Sequence, residues 1–343
     1  MTRVRAKCAS RLTAKDYETL SGFSTLGEAA AYLAANKNYE AYFSDASGKR
    51  EITKDEFERR VQNAFFSTAK KLCSSQSEAG SHIYRYLALG MENDILLEYI
   101  INLSLGTPEK MLLSAVPELN TGTKLSFSRL FKITDVAELG RYLSKTKYAK
   151  LVTALPKGKD EKFDISLIET MLSKIKYSMA FEEIERCYGS ETAAILEESI
   201  KIRIELADFL TVYRAKKYYG MSEASIRTAL TGYRIMINSA AWDRILSADT
   251  QEQALEELRN SGYSRIIERF GTENLELLKE QAAAVTDVKM LHFSADPITV
   301  LAAFLRLFRD ECDNLIKTAQ GIIYGMPREE IMKNLITLGE ECG

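Results

Sequence analysis

Asp94-Ile95-Leu96 … Gly106-Thr107-Pro108-Glu109 is a phrase the chain repeats, as Asp208-Phe209-Leu210 … Gly220-Met221-Ser222-Glu223 and again as Asp313-Asn314-Leu315 … Gly325-Met326-Pro327-Arg328. In every copy a Leu follows the Asp by two positions and a Gly follows it by twelve. Upstream of each Gly, apolar residues fall at helical spacing: Leu96, Leu97, Ile100 and Leu103; Leu210, Tyr213 and Tyr218; Leu315, Ile316, Ala319, Ile322 and Ile323. Gly closes a helix because it adopts the left-handed conformation at C′ without a Cβ penalty. Pro108 and Pro327 suit the first turn of a following helix, where a missing N–H costs nothing, and Ser222 suits a cap. The phrase predicts three helix–Gly corner–helix units.

A second phrase precedes each of these. Ser24-Thr25-Leu26-Gly27-Glu28 leads to Tyr39, Thr134-Asp135-Val136-Ala137-Glu138 to Tyr148, and Asp249-Thr250-Gln251-Glu252 to Tyr263. All three read as capped short helices with a carboxylate in the first turn, facing the positive end of the helix dipole. Two markers with one period of about 110 residues divide the chain into units 1–115, 116–230 and 231–343. The expected fold is all-α, with three related units in a pseudo-threefold arrangement that is either closed, as a ring or funnel, or open, as an arc. The polar stretches Ser44–Lys54 and Pro156–Lys162 are expected to be loops inside units.

Composition agrees with helices. Five Pro and 18 Gly in 343 residues are few, while 46% of residues are hydrophobic and 27% charged, as in a protein with packed cores. The net charge of −2 offers no global attraction to nucleic acid or to an anionic membrane. The five cysteines, Cys8, Cys73, Cys187, Cys312 and Cys342, show no metal-knuckle or redox-pair spacing and read as reduced cytosolic thiols. The basic start Thr2–Lys7 is followed by no apolar segment of a signal peptide. The longest clean apolar run, Val300–Leu305, is far short of the ~20 residues of a membrane span.

Candidate chemistry is sparse. There are two histidines, His82 and His292, and Ser81-His82 are sequence neighbours rather than a nucleophile and base brought together by a fold. Glu182-Glu183, Glu197-Glu198 and Glu340-Glu341 read as solvated helix faces. Pro156-Lys157-Gly158-Lys159-Asp160 lacks the first Gly and the Lys-Ser/Thr ending of a phosphate-binding loop. From Arg141 to Lys162 seven basic residues stand against two acidic ones. Such a run ordinarily makes a solvated surface, and the other reading is docking to protein or to lipid headgroups. Asp94, Asp208 and Asp313 have a functional reading, as equivalent carboxylates that meet basic side chains of a partner. They also have a structural one, as hydrogen-bonding residues that build each unit. Repetition in every unit favours the structural reading. No catalytic, cofactor or metal site stands out, so the chain does not read as an enzyme.

Thr2-Arg3-Val4-Arg5-Ala6-Lys7 … Asp16-Tyr17 at the start, Asp296-Pro297-Ile298 … Glu311-Cys312-Asp313-Asn314-Leu315, and the closing Gly325-Met326-Pro327-Arg328-Glu329-Glu330-Ile331 resemble the C subunit of the bacterial and archaeal V/A-type ATP synthases, the family of the eukaryotic V-ATPase d subunit. The resemblance spans essentially the whole chain. It implies an all-helical funnel of three related units and a role without catalysis. It implies a central-stalk socket between the central-shaft subunits of the soluble head and the proteolipid rotor ring, peripheral on the cytoplasmic face of the membrane and transmitting torque for ion transport. Thr107 and Ser222 break the Met-Pro pattern of the third copy, so the three corners need not bind alike. The competing expectation is a free-standing helical scaffold that binds an unrelated protein.

Overall fold

The computed structural model describes residues 2–45, 51–107, 121–158, 162–219 and 221–338. The regular structure of these residues is all helical, with no strand among them, as composition and periodicity predicted. Two compact units form. The first comprises Met1–Gly80, Glu191–Ile226 and Gly232–Gly343, and the second Ser81–Ser190 with Arg227–Thr231.

In chain order, α1 (Thr2–Cys8), α2 (Ala14–Leu20), α3 (Leu26–Leu33) and α4 (Glu40–Phe43) are short, and α5 (Lys54–Ser74) and α6 (Ser77–Ser104) are long. The pattern returns with α7 (Phe127–Leu130), α8 (Val136–Leu143) and a 3₁₀ turn at Ala149–Ala154, followed by α9 (Ile165–Cys187) and α10 (Ser190–Arg214). The chain continues through a π turn, Ala215–Tyr219, and the short α11 (Glu223–Ala229). It returns once more with α12 (Ser239–Ser247), α13 (Gln251–Arg259) and α14 (Ser264–Phe270), then α15 (Leu275–Phe293) and α16 (Pro297–Ile323), and α17 (Arg328–Met332) follows. Each round thus contains a module of three short segments (α2–α4; α7, α8 and the 3₁₀ turn; α12–α14) followed by two long helices, with α1, α11 and α17 outside the modules.

The caps explain the module boundaries. Thr25 and Glu28 form a reciprocal capping box on α3. Asp135 accepts from Ala137 N on α8, and Thr250 accepts from Gln253 N on α13. Asp296 caps α16 with Pro297 in its first turn. The long helices end as predicted where they are described: Gly106 (φ 72°) and Gly325 (φ 61°) are left-handed. Thr107 N donates to Asn102 O and Gly106 N to Leu103 O, and Met326 N donates to Gly321 O and Gly325 N to Ile322 O. Both are Schellman closures. Ser222 Oγ accepts from Ser225 N at the start of α11. Pro327 stands at the N-cap of α17, one place earlier than expected. Gly220 and Pro108 lie outside the described residues.

In the first unit the core is built around α16. Residues from Thr299 to Phe308 are buried on every side, so the apolar run that is too short for a membrane is a core helix. Phe308 packs against Tyr39, Phe65 and Phe304, with ring centroids 5.7–5.9 Å apart. The α5–α6 corner depends on Gly80, where a Cβ would fall 2.0 Å from the carbonyl oxygen of Cys73. In the second unit Leu96, Tyr99, Leu130, Leu139, Tyr148, Leu151, Ile168 and Leu172 form one buried cluster.

Candidate functional site

Each short-helix module is closed by one buried glutamate on a long helix. Glu311 of α16 accepts from the Tyr39 phenol at 2.8 Å and from Leu12 N at 2.9 Å. Glu92 of α6 accepts from Tyr148 at 3.0 Å and from Thr121 Oγ1 at 2.6 Å. Glu205 of α10 accepts from Tyr263 at 2.9 Å and from the amides of Ile235, Met236 and Ile237 at 2.8–3.2 Å. In all three the carboxylate joins the residues leading into the module to the tyrosine near its end. The glutamates are 0–2% exposed, so leaving their acceptors unsatisfied would be costly. Burial pushes Glu311 up to about 7 despite Arg11 and its hydrogen bonds, and burial also raises Glu92. Burial, reinforced by the neighbouring carboxylate, raises the phenols of Tyr39, Tyr148 and Tyr263, which remain donors.

The tyrosines were visible as sequence markers, but the glutamates were not. They stand two, three and two residues before Asp94, Asp208 and Asp313. The π turn at Ala215–Tyr219 explains the unequal offset, because a π turn accommodates one additional residue in a helix. The aspartates consequently occupy three different environments. Asp94 is exposed. Asp208 is buried, accepting from Gly232 N at 3.0 Å and pairing with Arg234 at 2.8 Å. Asp313 is half-buried and pairs with Arg309 at 3.2 Å. The structure does not make them equivalents.

Counting from the glutamates exposes a second repetition. Leu105, Tyr218 and Tyr324 each lie thirteen residues beyond their glutamate, Glu92, Glu205 and Glu311. They are 70%, 64% and 74% exposed, at the C-terminal ends of α6, α10 with its π turn, and α16. Single exposed apolar residues are ordinary. Here three fall at one register of a repeat.

A buried charge network binds the long helices of the first unit. Arg203 of α10 reaches Glu280 (2.9 Å) and Asp287 (3.4 Å) of α15 and Asp310 (3.1 Å) of α16, while Arg306 pairs with Asp287 at 2.7 Å. Burial raises Asp310 to about 7 even beside Arg203. This network, like the glutamate staples, makes the helix packing hard to shear, since sliding one helix would leave a charge buried and unpaired.

Two expectations of solvated faces are corrected here. Glu197 is buried and pairs with Lys201 at 2.6 Å. Glu183 is half-buried and accepts from Arg85 (2.6 Å), Arg186 (2.5 Å) and His82 Nδ1 (2.5 Å). Burial alone would raise its pKa, but hydrogen bonds from Arg186 and His82 and the charge of Arg85 hold it below the usual carboxylate range. Glu340 and Glu341 lie outside the described residues. His82, Glu183 and Cys187 place an N, O and S atom within 4.8 Å of one another. The two guanidinium groups already on Glu183 make this set a poor host for a dication. No described helix is long and apolar enough to cross a membrane.

Residues 1–334 match the family described as ATP synthase (C/AC39) subunit. The chain is also 23% identical over 278 residues to the C subunit of the A-type ATP synthase of Desulfurococcus sp. (strain SY), covering 77% of this chain and 68% of the relative. A match of this extent, over an all-helical fold with a thrice-repeated module, settles the affiliation: the chain belongs to the ATP synthase (C/AC39) subunit family of V/A-type complexes.

Proposed function

We propose that the chain is the non-catalytic central-stalk component of a V/A-type ATP synthase, a socket that couples the central-shaft subunits of the soluble head to the proteolipid rotor ring and passes torque between them. In this reading the units 1–115, 116–230 and 231–343 form a pseudo-threefold, funnel-like scaffold, peripheral on the cytoplasmic face of the membrane. The observation that carries it is the exposed apolar residue at one register of all three repeats, Leu105, Tyr218 and Tyr324. Each sits beyond a stapled glutamate, so a docking residue is mounted on an element that resists deformation. Torque transfer requires that combination. Among the aspartates the proposal narrows to Asp94 and Asp313 as partner contacts, because the carboxylate of Asp208 is buried on Gly232 and Arg234.

The purified chain, mixed with the shaft subunits of its own complex and the detergent-solubilised ring, is expected to form a ternary complex. The variant carrying Leu105→Ala, Tyr218→Ala and Tyr324→Ala is expected to lose one of the two partners while remaining folded. A chain that binds neither partner, both shown to be intact, overturns the proposal.

A further inference from the structure

The three short-helix modules share a fold and differ in charge. Thr13–Phe43 carries two basic and four acidic residues, and Asn238–Phe270 four basic and six acidic. Ser126–Ala154 reverses this, with six basic residues (Arg129, Lys132, Arg141, Lys145, Lys147 and Lys150) against Asp135 and Glu138. The buried positions of the middle module, among them Leu130, Ile133, Leu139, Tyr142, Leu143 and Leu151, point into its core, and all six cations are exposed. Arg129 lies over the Tyr142 ring at 5.2 Å. The other five enter no ion pair among the described residues. In the third module, by contrast, Arg244 pairs with Glu257 at 2.8 Å and Arg259 with Glu256 at 3.7 Å.

The geometry points to a function for this surface: the outer face of Ser126–Ala154 holds the chain against anionic lipid headgroups. Three features select lipid over other anions. Four of the six cations are lysines, compact point charges that suit a fluid array of phosphates better than a fixed carboxylate. Lysine is depleted at protein interfaces, whose centres are built from aromatic and other apolar residues. No large apolar residue is exposed between Ser126 and Ala154. The same lack of exposed aromatic rings removes the stacking platform that single-stranded nucleic acid requires. A cluster of lysines that enter no ion pair among the described residues, with no apolar anchor, is sufficient for electrostatic association with an anionic leaflet, each contributing about 1 kcal/mol near the surface. This inference stands independently of the rotor reading.

The test is co-sedimentation of the full chain with vesicles of equimolar phosphatidylcholine and phosphatidylglycerol, against vesicles of phosphatidylcholine alone. Partition into the anionic vesicles is expected at low salt, and it should weaken as salt is raised. Lys132→Gln, Lys145→Gln and Lys150→Gln together should lower the partition about a hundredfold, whereas arginine at the same three positions should preserve it. Circular dichroism of each variant checks the fold. Failure of the native chain to partition, undiminished partition of the glutamine variant, or tighter salt-sensitive binding to duplex DNA or polyglutamate than to the vesicles would each overturn the assignment.

Discussion

Tyr39 and Glu311 are 272 residues apart in sequence and 2.8 Å apart in space, the phenol donating to a carboxylate that is itself buried. The same bond recurs as Tyr148 with Glu92 and Tyr263 with Glu205. Tyr→Phe at any of the three removes a donor and leaves a buried acceptor short of a partner, which costs about 1–3 kcal/mol. Urea denaturation of Tyr39→Phe, Tyr148→Phe and Tyr263→Phe should show three losses of that size. A variant as stable as the native chain would show that its staple does not bear on folding.

Glu311 and Asp310 make stability depend on pH. Both are raised to about 7 by burial, from ordinary values of 4.5 and 3.8. Between the ordinary and the raised value the folded chain holds more protons than the unfolded one, so stability falls as pH rises. Their contribution is complete below about 4 and lost as pH rises through about 7. Unfolding free energies from pH 5 to 8 should decline, and Glu311→Gln, which keeps an acceptor for Tyr39, should flatten the decline. An unchanged slope in that variant would place the titration elsewhere.

Arg203 is the hub of three carboxylates on two other helices. Arg203→Met strands Asp310, whereas Asp287 keeps Arg306 and Glu280 keeps Lys279, and breaking a buried pair in this way costs about 3–5 kcal/mol. Adding Asp310→Leu should recover part of the loss, because it removes the stranded charge. A double variant worse than Arg203→Met, measured by thermal or urea unfolding, would show that Asp310 is supported by groups other than Arg203.

Gly325→Ala should cost about 1–2 kcal/mol, because φ is 61° there and an L-residue resists the left-handed region. At Gly106, φ 72°, the cost should be alike. Both positions have open space around a Cβ, so the effect reads backbone strain alone. Differential scanning calorimetry of the two variants checks it, and unchanged melting would mean that the corners relax.

Much of this architecture was legible because it is written in backbone preferences. Thr25, Asp135 and Thr250 begin helices by capping chemistry, and Gly106 and Gly325 end them by conformation, so local rules found both boundaries. The glutamates escaped notice for a different reason. Glu92, Glu205 and Glu311 look like any helical Glu, and their importance lies in partners far away in sequence. Matching the copies on Asp and Gly also set Glu205 one place out of step, because the residue added near Ala215–Tyr219 lies between Glu205 and Gly220. A period read from the exposed Leu105, Tyr218 and Tyr324 would have put all three glutamates in line. The charge network was equally hidden. Arg203, Asp287 and Asp310 are charged residues among many, and only packing shows that they face inward.

The bond between Tyr39 and Glu311 also orders events during synthesis. The second module and α6 supply Tyr148 and Glu92 by mid-chain, so that staple can close while translation continues. The first module cannot complete its own until α16 has been made, some 270 residues later, which at 5–20 residues per second is roughly 15–50 s. For that interval Tyr39, Phe65 and the other residues that pack on Phe308 have no helix to cover them. The module Thr13–Phe43 thus closes its staple after the two modules that follow it in the chain.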